Sequence, residues 1–198
     1  MRLPHEWSAG RLVPACHGVE NKLHTMTTIS SLPLEQFLAN LAAKNPTPGG
    51  GAAAAVAASV GSAAASMAAA YTQRKKDVES GSADRAKELI ATLEITTLLQ
   101  AADDDAVAYA DLQRTWNKDL NISSEEKSAI EARALAIPTT LLEDCHSRIL
   151  QIYDFLPHCN PNITSDAKVG IHQLAGASRA AYQVSINGIY CTSCSPFF

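Results

Sequence analysis

From Ala52 to Tyr71 the chain carries no charge, no proline and a single interior glycine, Gly61. Such a run must satisfy its own backbone hydrogen bonds, and alanine has the highest helix propensity of any residue, so the stretch predicts one long helix. Its larger apolar residues, Val56, Val60, Met67 and Tyr71, are spaced by four, seven and four and form one stripe. Alanine with Ser59, Ser62 and Ser66 fills the other faces, and side chains this small let neighbouring helices approach closely on every side. A run of roughly 20 apolar residues is also long enough to cross a bilayer. This one is built of alanine and serine, begins without an aromatic belt and has no second span beside it, so a buried core helix and no membrane partner are expected. The fold class expected is all-α: a helical bundle around a central alanine-rich buried helix.

The approach to this helix reads KNPTPGGG, from Lys44 to Gly51. After Pro48, the glycines Gly49, Gly50 and Gly51 set bare backbone amides at the helix start. There the macrodipole and the unpaired N–H groups favour an anion or a carbonyl oxygen. The same triplet also reads as nothing more than a tight entry turn. No G-K-[ST] follows it and no strand precedes it, so it is neither a nucleoside-triphosphate loop nor a dinucleotide fingerprint.

A length of 198 residues, 46% hydrophobic and only 6% aromatic, suits one domain of tightly packed helices. Lys and Arg number 16 against 20 Asp and Glu, a net charge of -4, so no global basic surface recommends a nucleic-acid partner. Cys16, Cys145, Cys159, Cys191 and Cys194 are odd in number and irregularly spaced. That is no disulfide framework, and it fits a reducing, cytoplasmic location. Residues 1–26 show neither a secretory core nor an amphipathic transit period and are expected to form a disordered N-terminal extension. The helical domain is placed at 27–187, followed by an atypical C-terminal tail at 188–198.

In chain order, Pro33 at a first turn with Leu34, Phe37, Leu38 and Leu41 behind it predicts a first helix that delivers Lys44 to the glycine turn. Past the central helix, Arg74, Lys75 and Lys76 form a short basic cluster, either a solvated helix end or an anion-docking point. A long amphipathic helix is predicted from Ser82 towards Trp116, with Leu98, Ala101, Asp105, Ala108, Tyr109 and Leu112 on one face. A carboxylate on that face must be hydrogen-bonded, paired or raised in pKa, whereas Asp103 and Asp104 point elsewhere and are expected to be more exposed. Ser123 with Glu126 reads as a capping box, and Pro138 is expected to kink or split the helix that it opens. Beyond it Leu141, Leu142, Cys145, Ile149, Ile152 and Leu156 resume a core stripe. His146 and His158 lack partners at ligand spacing, so no metal is expected. The Asn160-Pro161-Asn162 turn leads to Ser165, the expected cap of the last helix, with Asp166 in its first turn. That helix is expected to run through Val169, Leu174, Ala177, Ala181 and Val184.

FLANLAAKNPTPGGGAAAAVAASVGSAAASMAAAYTQRKK resembles the opening of the formiminotransferase-cyclodeaminase carboxy-terminal domain family. QAADDDAVAY is similar to that family's aspartate-alanine-x-alanine-aromatic motif, SSEEKSAIEARALAIP to its acidic-to-basic helix ending in proline, and NPNITSDAKVG to its asparagine-rich turn with serine-aspartate. The resemblance covers residues 32–187 and implies a folate one-carbon enzyme. The first reaction implied is cyclodeamination of formimino-tetrahydrofolate to methenyl-tetrahydrofolate and ammonia. Hydrolysis of methenyl-tetrahydrofolate is the alternative, and an inactive paralogue acting as a helical binding module is a third reading. On this resemblance Asp105 and Asp166 are the catalytic acid-base candidates. Lys44, Pro48, Gly49, Gly50, Gly51 and Ser165 would bind substrate, with Arg74, Lys75 and Lys76 gripping a glutamate tail. A tetrahydrofolate derivative enters as substrate and no tightly bound cofactor is expected. The chain departs from the family at Gln183, Ser185 and Lys168, and after Asn187 GIYCTSCSPFF replaces an expected further helix. Cys191-x-x-Cys194 has no second pair and reads as a frayed terminus. An alanine-lined helix in a bundle also offers a self-complementary face, so a homodimer whose partner completes the site is expected.

Overall fold

The computed structural model describes residues 28–117 and 119–193, with side chains through Ile186. The expected disordered extension, Cys16 and the end of the tail lie outside the described residues. Helices α1 (Leu34–Ala42), α2 (Gly50–Ala70), α3 (Lys75–Glu79), α4 (Ser82–Thr92), α5 (Ile95–Arg114), α6 (Ser124–Phe155) and α7 (Thr164–Ser193) follow one another. Single 3-10 turns stand at Ile29–Ser31 and Leu156–His158. Among the described residues there is no strand, and the architecture is an all-α bundle with α2 packed against α4, α5, α6 and α7.

Helix α2 is long and apolar enough to cross a membrane by length and composition, yet its inner faces are filled by the rest of the bundle. Those faces are Gly51, Ala52, Ala54, Ala55, Ala58, Ser59, Gly61, Ser62, Ala65, Ala68 and Ala69, all buried. Of the stripe of larger residues, Val60, Met67 and Tyr71 are 53%, 41% and 62% exposed, while Val56 packs half-buried against the core. Small residues face inwards because α7 lies too close for anything larger. Gly61 and Gly170 meet at the crossing, where a Cβ on Gly170 would stand 2.7 Å from the Gly61 carbonyl oxygen and 2.9 Å from the Ala65 Cβ. Neither neighbour is a flexible chain end. Gly170→Ala should therefore destabilise the protein by about 1–3 kcal/mol through overpacking. The melting temperature would fall by about 2–4 °C for each kcal/mol. An unchanged melting temperature would show that α7 can move away freely.

Larger side chains pack around this seam: Leu89, Leu93, Leu98, Leu141, Ile152, Phe155 and Leu174 are buried. The single helix expected from Ser82 is two. Leu93 ends α4 and turns into the core at 1% exposure, and Glu94 takes an extended conformation (φ -56°, ψ 126°) from which α5 restarts. Pro138, by contrast, does not split α6, which runs unbroken from Ser124 to Phe155. In α1 only Phe37 is buried, while Leu34 and Leu38 lie exposed. Ser123 caps α6 as the sequence suggests, its hydroxyl accepting the Glu126 N–H at 3.1 Å. The last helix continues beyond Asn187 to Ser193.

The far end of α2 is tied to the 160s turn. Asn160 donates its side-chain amide to the Tyr71 carbonyl at 3.1 Å, and its backbone N–H goes to the Thr72 hydroxyl at 3.0 Å. Carbonyls that a helix end leaves without partners are thereby engaged. Helix α7 starts from this turn and runs antiparallel along α2, so that Gly170 meets Gly61 while Val184 reaches Gly50.

Candidate active site

Helix α2 starts two residues earlier than the run read from the sequence, at Gly50 rather than Ala52. Gly49 is the residue before α2, in extended conformation (φ -115°, ψ -163°), and Gly50 and Gly51 already belong to its first turn. The first intrahelical bond runs from the Ala53 N–H to the Gly49 carbonyl at 3.0 Å. The N–H groups of Gly50, Gly51 and Ala52 precede it, at the positive end of the macrodipole. Ala52 gives its N–H to Asp105 Oδ2 at 2.9 Å. A Cβ at Gly51 would overlap the Asp105 carboxylate, so any larger residue here would displace that side chain from its place. Pro48 is buried beneath the turn, while Lys44 is exposed at its edge.

Asp105 is thus brought to the glycine turn by α5. Desolvation pushes its carboxyl above the ordinary value of 3.8, and the Ala52 hydrogen bond opposes that rise only in part. A carboxyl with a raised pKa beside the amides of a helix start is suited to proton transfer. Helices α5 and α7 both run on past the first turn of α2, to Arg114 and Ser193. Cavities of about 250 Å³ between α4 and α6 and about 360 Å³ between α5 and α6 border neither Gly51 nor Asp105.

The neighbouring acids need correction. Asp103, expected to be exposed, is buried: its carboxylate accepts the Ser30 N–H at 3.2 Å and the Ser30 hydroxyl at 2.6 Å, anchoring the first 3-10 turn to α5. Asp105 is half-buried and only Asp104 is exposed. Helix α5 has two covered sides, so its periodicity marks more than one acid for burial.

The remaining candidates lie elsewhere. Arg74 is engaged: its Nε and Nη2 each donate to the Asp77 carboxylate at 2.7 Å, holding that carboxyl below its ordinary value. It is therefore not the free anion grip the sequence suggested. Lys75 stands 3.8 Å from Glu79 with both side chains exposed, and Lys76 is exposed without an ion pair among the described residues. Ser165 does not cap α7; that helix starts one residue earlier, at Thr164, and the Ser165 hydroxyl donates to the half-buried Asp166 at 3.1 Å. Because α7 is antiparallel to α2, Asp166 sits beside the C-terminal half of α2. At 1.5 Å per residue that is about 25 Å from Asp105. Lys44, Pro48, the three glycines and Asp105 gather at one end of α2, and Arg74 to Lys76, Ser165 and Asp166 at the other.

One buried cation escaped the sequence reading. Arg148 is 7% exposed and donates to the Ser62 hydroxyl at 3.3 Å and the Thr97 hydroxyl at 3.1 Å, joining α2, α5 and α6. Its place on the 141, 145, 148, 152 stripe is the signal that would have found it. Burial raises the adjacent Cys145 thiol to about 11, which leaves it protonated and unreactive.

A sequence model of the family described as Formiminotransferase-cyclodeaminase matches residues 33–192. Among solved structures, the chain is similar to a formiminotetrahydrofolate cyclodeaminase from Thermotoga maritima, with a TM-score of 0.75 and 20% identity over 82% of this chain and 80% of that one. That likeness is one of fold. No curated protein matches the chain in sequence.

Proposed function

Because the chain belongs to the formiminotransferase-cyclodeaminase family, we propose that it acts on a tetrahydrofolate derivative, as a formimino-tetrahydrofolate cyclodeaminase using acid-base catalysis. The observation that carries this reading is Asp105: a half-buried carboxyl raised by burial, hydrogen-bonded at the start of α2 beside the glycine amides. In the reaction the folate's side-chain amine attacks the formimino carbon, a tetrahedral centre forms, and ammonia leaves as the ring closes. One group takes a proton from the attacking amine, and another gives one to the departing nitrogen. Asp105 is the proposed base. The Gly50 and Gly51 N–H groups are placed to hold a carbonyl or carboxylate oxygen of the substrate.

The proposed acid, Asp166, is about 25 Å from Asp105 within one chain and cannot share a substrate with it. A second copy resolves this. The uncovered stripe of Val60, Met67 and Tyr71 runs along α2 between the two half-sites. Two chains packed stripe to stripe with their α2 helices antiparallel would bring Ser165, Asp166, Lys75 and Lys76 of one to the glycine turn of the other. A two-fold pair is self-complementary in this way, and the antiparallel arrangement also opposes the helix dipoles favourably. The lysines would meet the carboxylates of a glutamate tail, while Arg74 stays with Asp77.

The test is absorbance with formimino-tetrahydrofolate, following methenyl-tetrahydrofolate and released ammonia, with methenyl-tetrahydrofolate alone in a parallel cuvette. Product together with ammonia is the expected result. Decay only in the second cuvette would make the chain a cyclohydrolase. Two flat traces from folded, helical protein would overturn the enzyme reading.

A further inference from the structure

We propose that Tyr109, set edge-on against Trp116, is the stacking platform for the pterin ring of the substrate. The inference rests on the tetrahydrofolate reading above and adds a specificity-determining residue to it. Its first support is register. Asp105 lies level with Gly51 and Thr97 with Ser62, both of the latter meeting Arg148, so α5 runs antiparallel to α2. Tyr109 is therefore one turn, about 6 Å, further along α5 than Asp105, past the point where α2 begins. Residues four apart share a helix face, so Tyr109 stands on the Asp105 side of α5, beyond the glycines.

The second support is exposure. Tyrosine and tryptophan carry large apolar surfaces, and this chain spends few residues on aromatics. Two of them nevertheless meet at the end of α5, with ring centroids 6.2 Å apart and planes at 82°. Tyr109 is 37% and Trp116 52% exposed. The edge-to-face contact fixes the tyrosine ring while leaving aromatic surface open beside Asp105. A flat heterocycle is the ligand such a surface selects, and the pyrimidine ring of the tetrahydropterin offers a flat face. A ring held there places the reacting nitrogens of the substrate towards Asp105.

The experiment uses the full chain carrying Trp7→Phe, which leaves Trp116 as the single tryptophan of the two. The probe is 5-formyl-tetrahydrofolate, with affinity read by calorimetry and Trp116 emission recorded in parallel. The expected results are binding with quenching of Trp116, affinity within about twofold for Tyr109→Phe, and about tenfold weaker binding for Tyr109→Leu at unchanged helical content. Equal affinity of Tyr109→Leu, or binding with no change in Trp116 emission, would overturn the stacking role and leave the folate reading intact. Failure of the starting protein itself to bind the probe would overturn both.

Discussion

Asp105→Asn should lower turnover by about 10² to 10⁴ while leaving the fold in place. That is the range that a general base contributes, about 2.7 to 5.4 kcal/mol of transition-state stabilisation. Asparagine keeps an oxygen to accept the Ala52 N–H, so the tie between α5 and the start of α2 survives and only the proton-accepting function is lost. The pH dependence separates this from a structural effect. A base must be ionised, so activity of the parent protein should rise with pH through an acid limb lying above the ordinary 3.8, because burial raises the Asp105 carboxyl. The variant should lack that limb. Stability moves in the opposite sense. A carboxyl whose folded pKa lies above its unfolded one favours the folded state below the unfolded value. That contribution is lost as pH rises through the folded value. Relative to Asp105→Asn, the parent should therefore lose stability as pH rises across that window. Equal turnover in the two proteins would remove Asp105 from the chemistry.

Val60→Glu should yield a folded monomer as inactive as Asp105→Asn. Val60 is more than half exposed in the single chain, so a charge there has little effect on the isolated fold, within about 0.5 kcal/mol. In the proposed pair the same residue lies at the middle of helix α2, where two glutamates would be desolvated face to face. Sedimentation should show the change of state, and circular dichroism the retained helix. A fully active monomer would mean that one chain carries a complete site; an intact dimer would place the interface elsewhere.

The long uncharged run at 52–71 made a helical bundle legible, since no other structure satisfies that backbone cheaply. Which face it leaves uncovered was not legible. A helix packed on several sides by neighbours at glycine and alanine distances turns its small residues inwards. Val60, Met67 and Tyr71 are then the residues left outside. Asp105 could be picked out by its position among Leu98, Ala101 and Ala108, yet the same reasoning misplaced Asp103, whose burial depends on Ser30 from 73 residues away. The break at Leu93 is of the same kind: the residue leaves the helical path to fill the core, and no proline or glycine announces it. The division of the site was the least visible feature. Motifs read in sequence carry no distance, and only the antiparallel run of α7 along α2 shows that Asp105 and Asp166 belong to opposite ends of one helix.

That division makes complementation the most direct measurement. Asp105→Asn and Asp166→Asn chains, each inactive alone, would be co-expressed with different tags and allowed to assort into pairs. In a mixed pair one site holds both substitutions and the other holds none, so random assortment should restore about a quarter of the parent activity. A mixture as inactive as its components, or an Asp166→Asn protein active by itself, would contradict a site assembled from both chains.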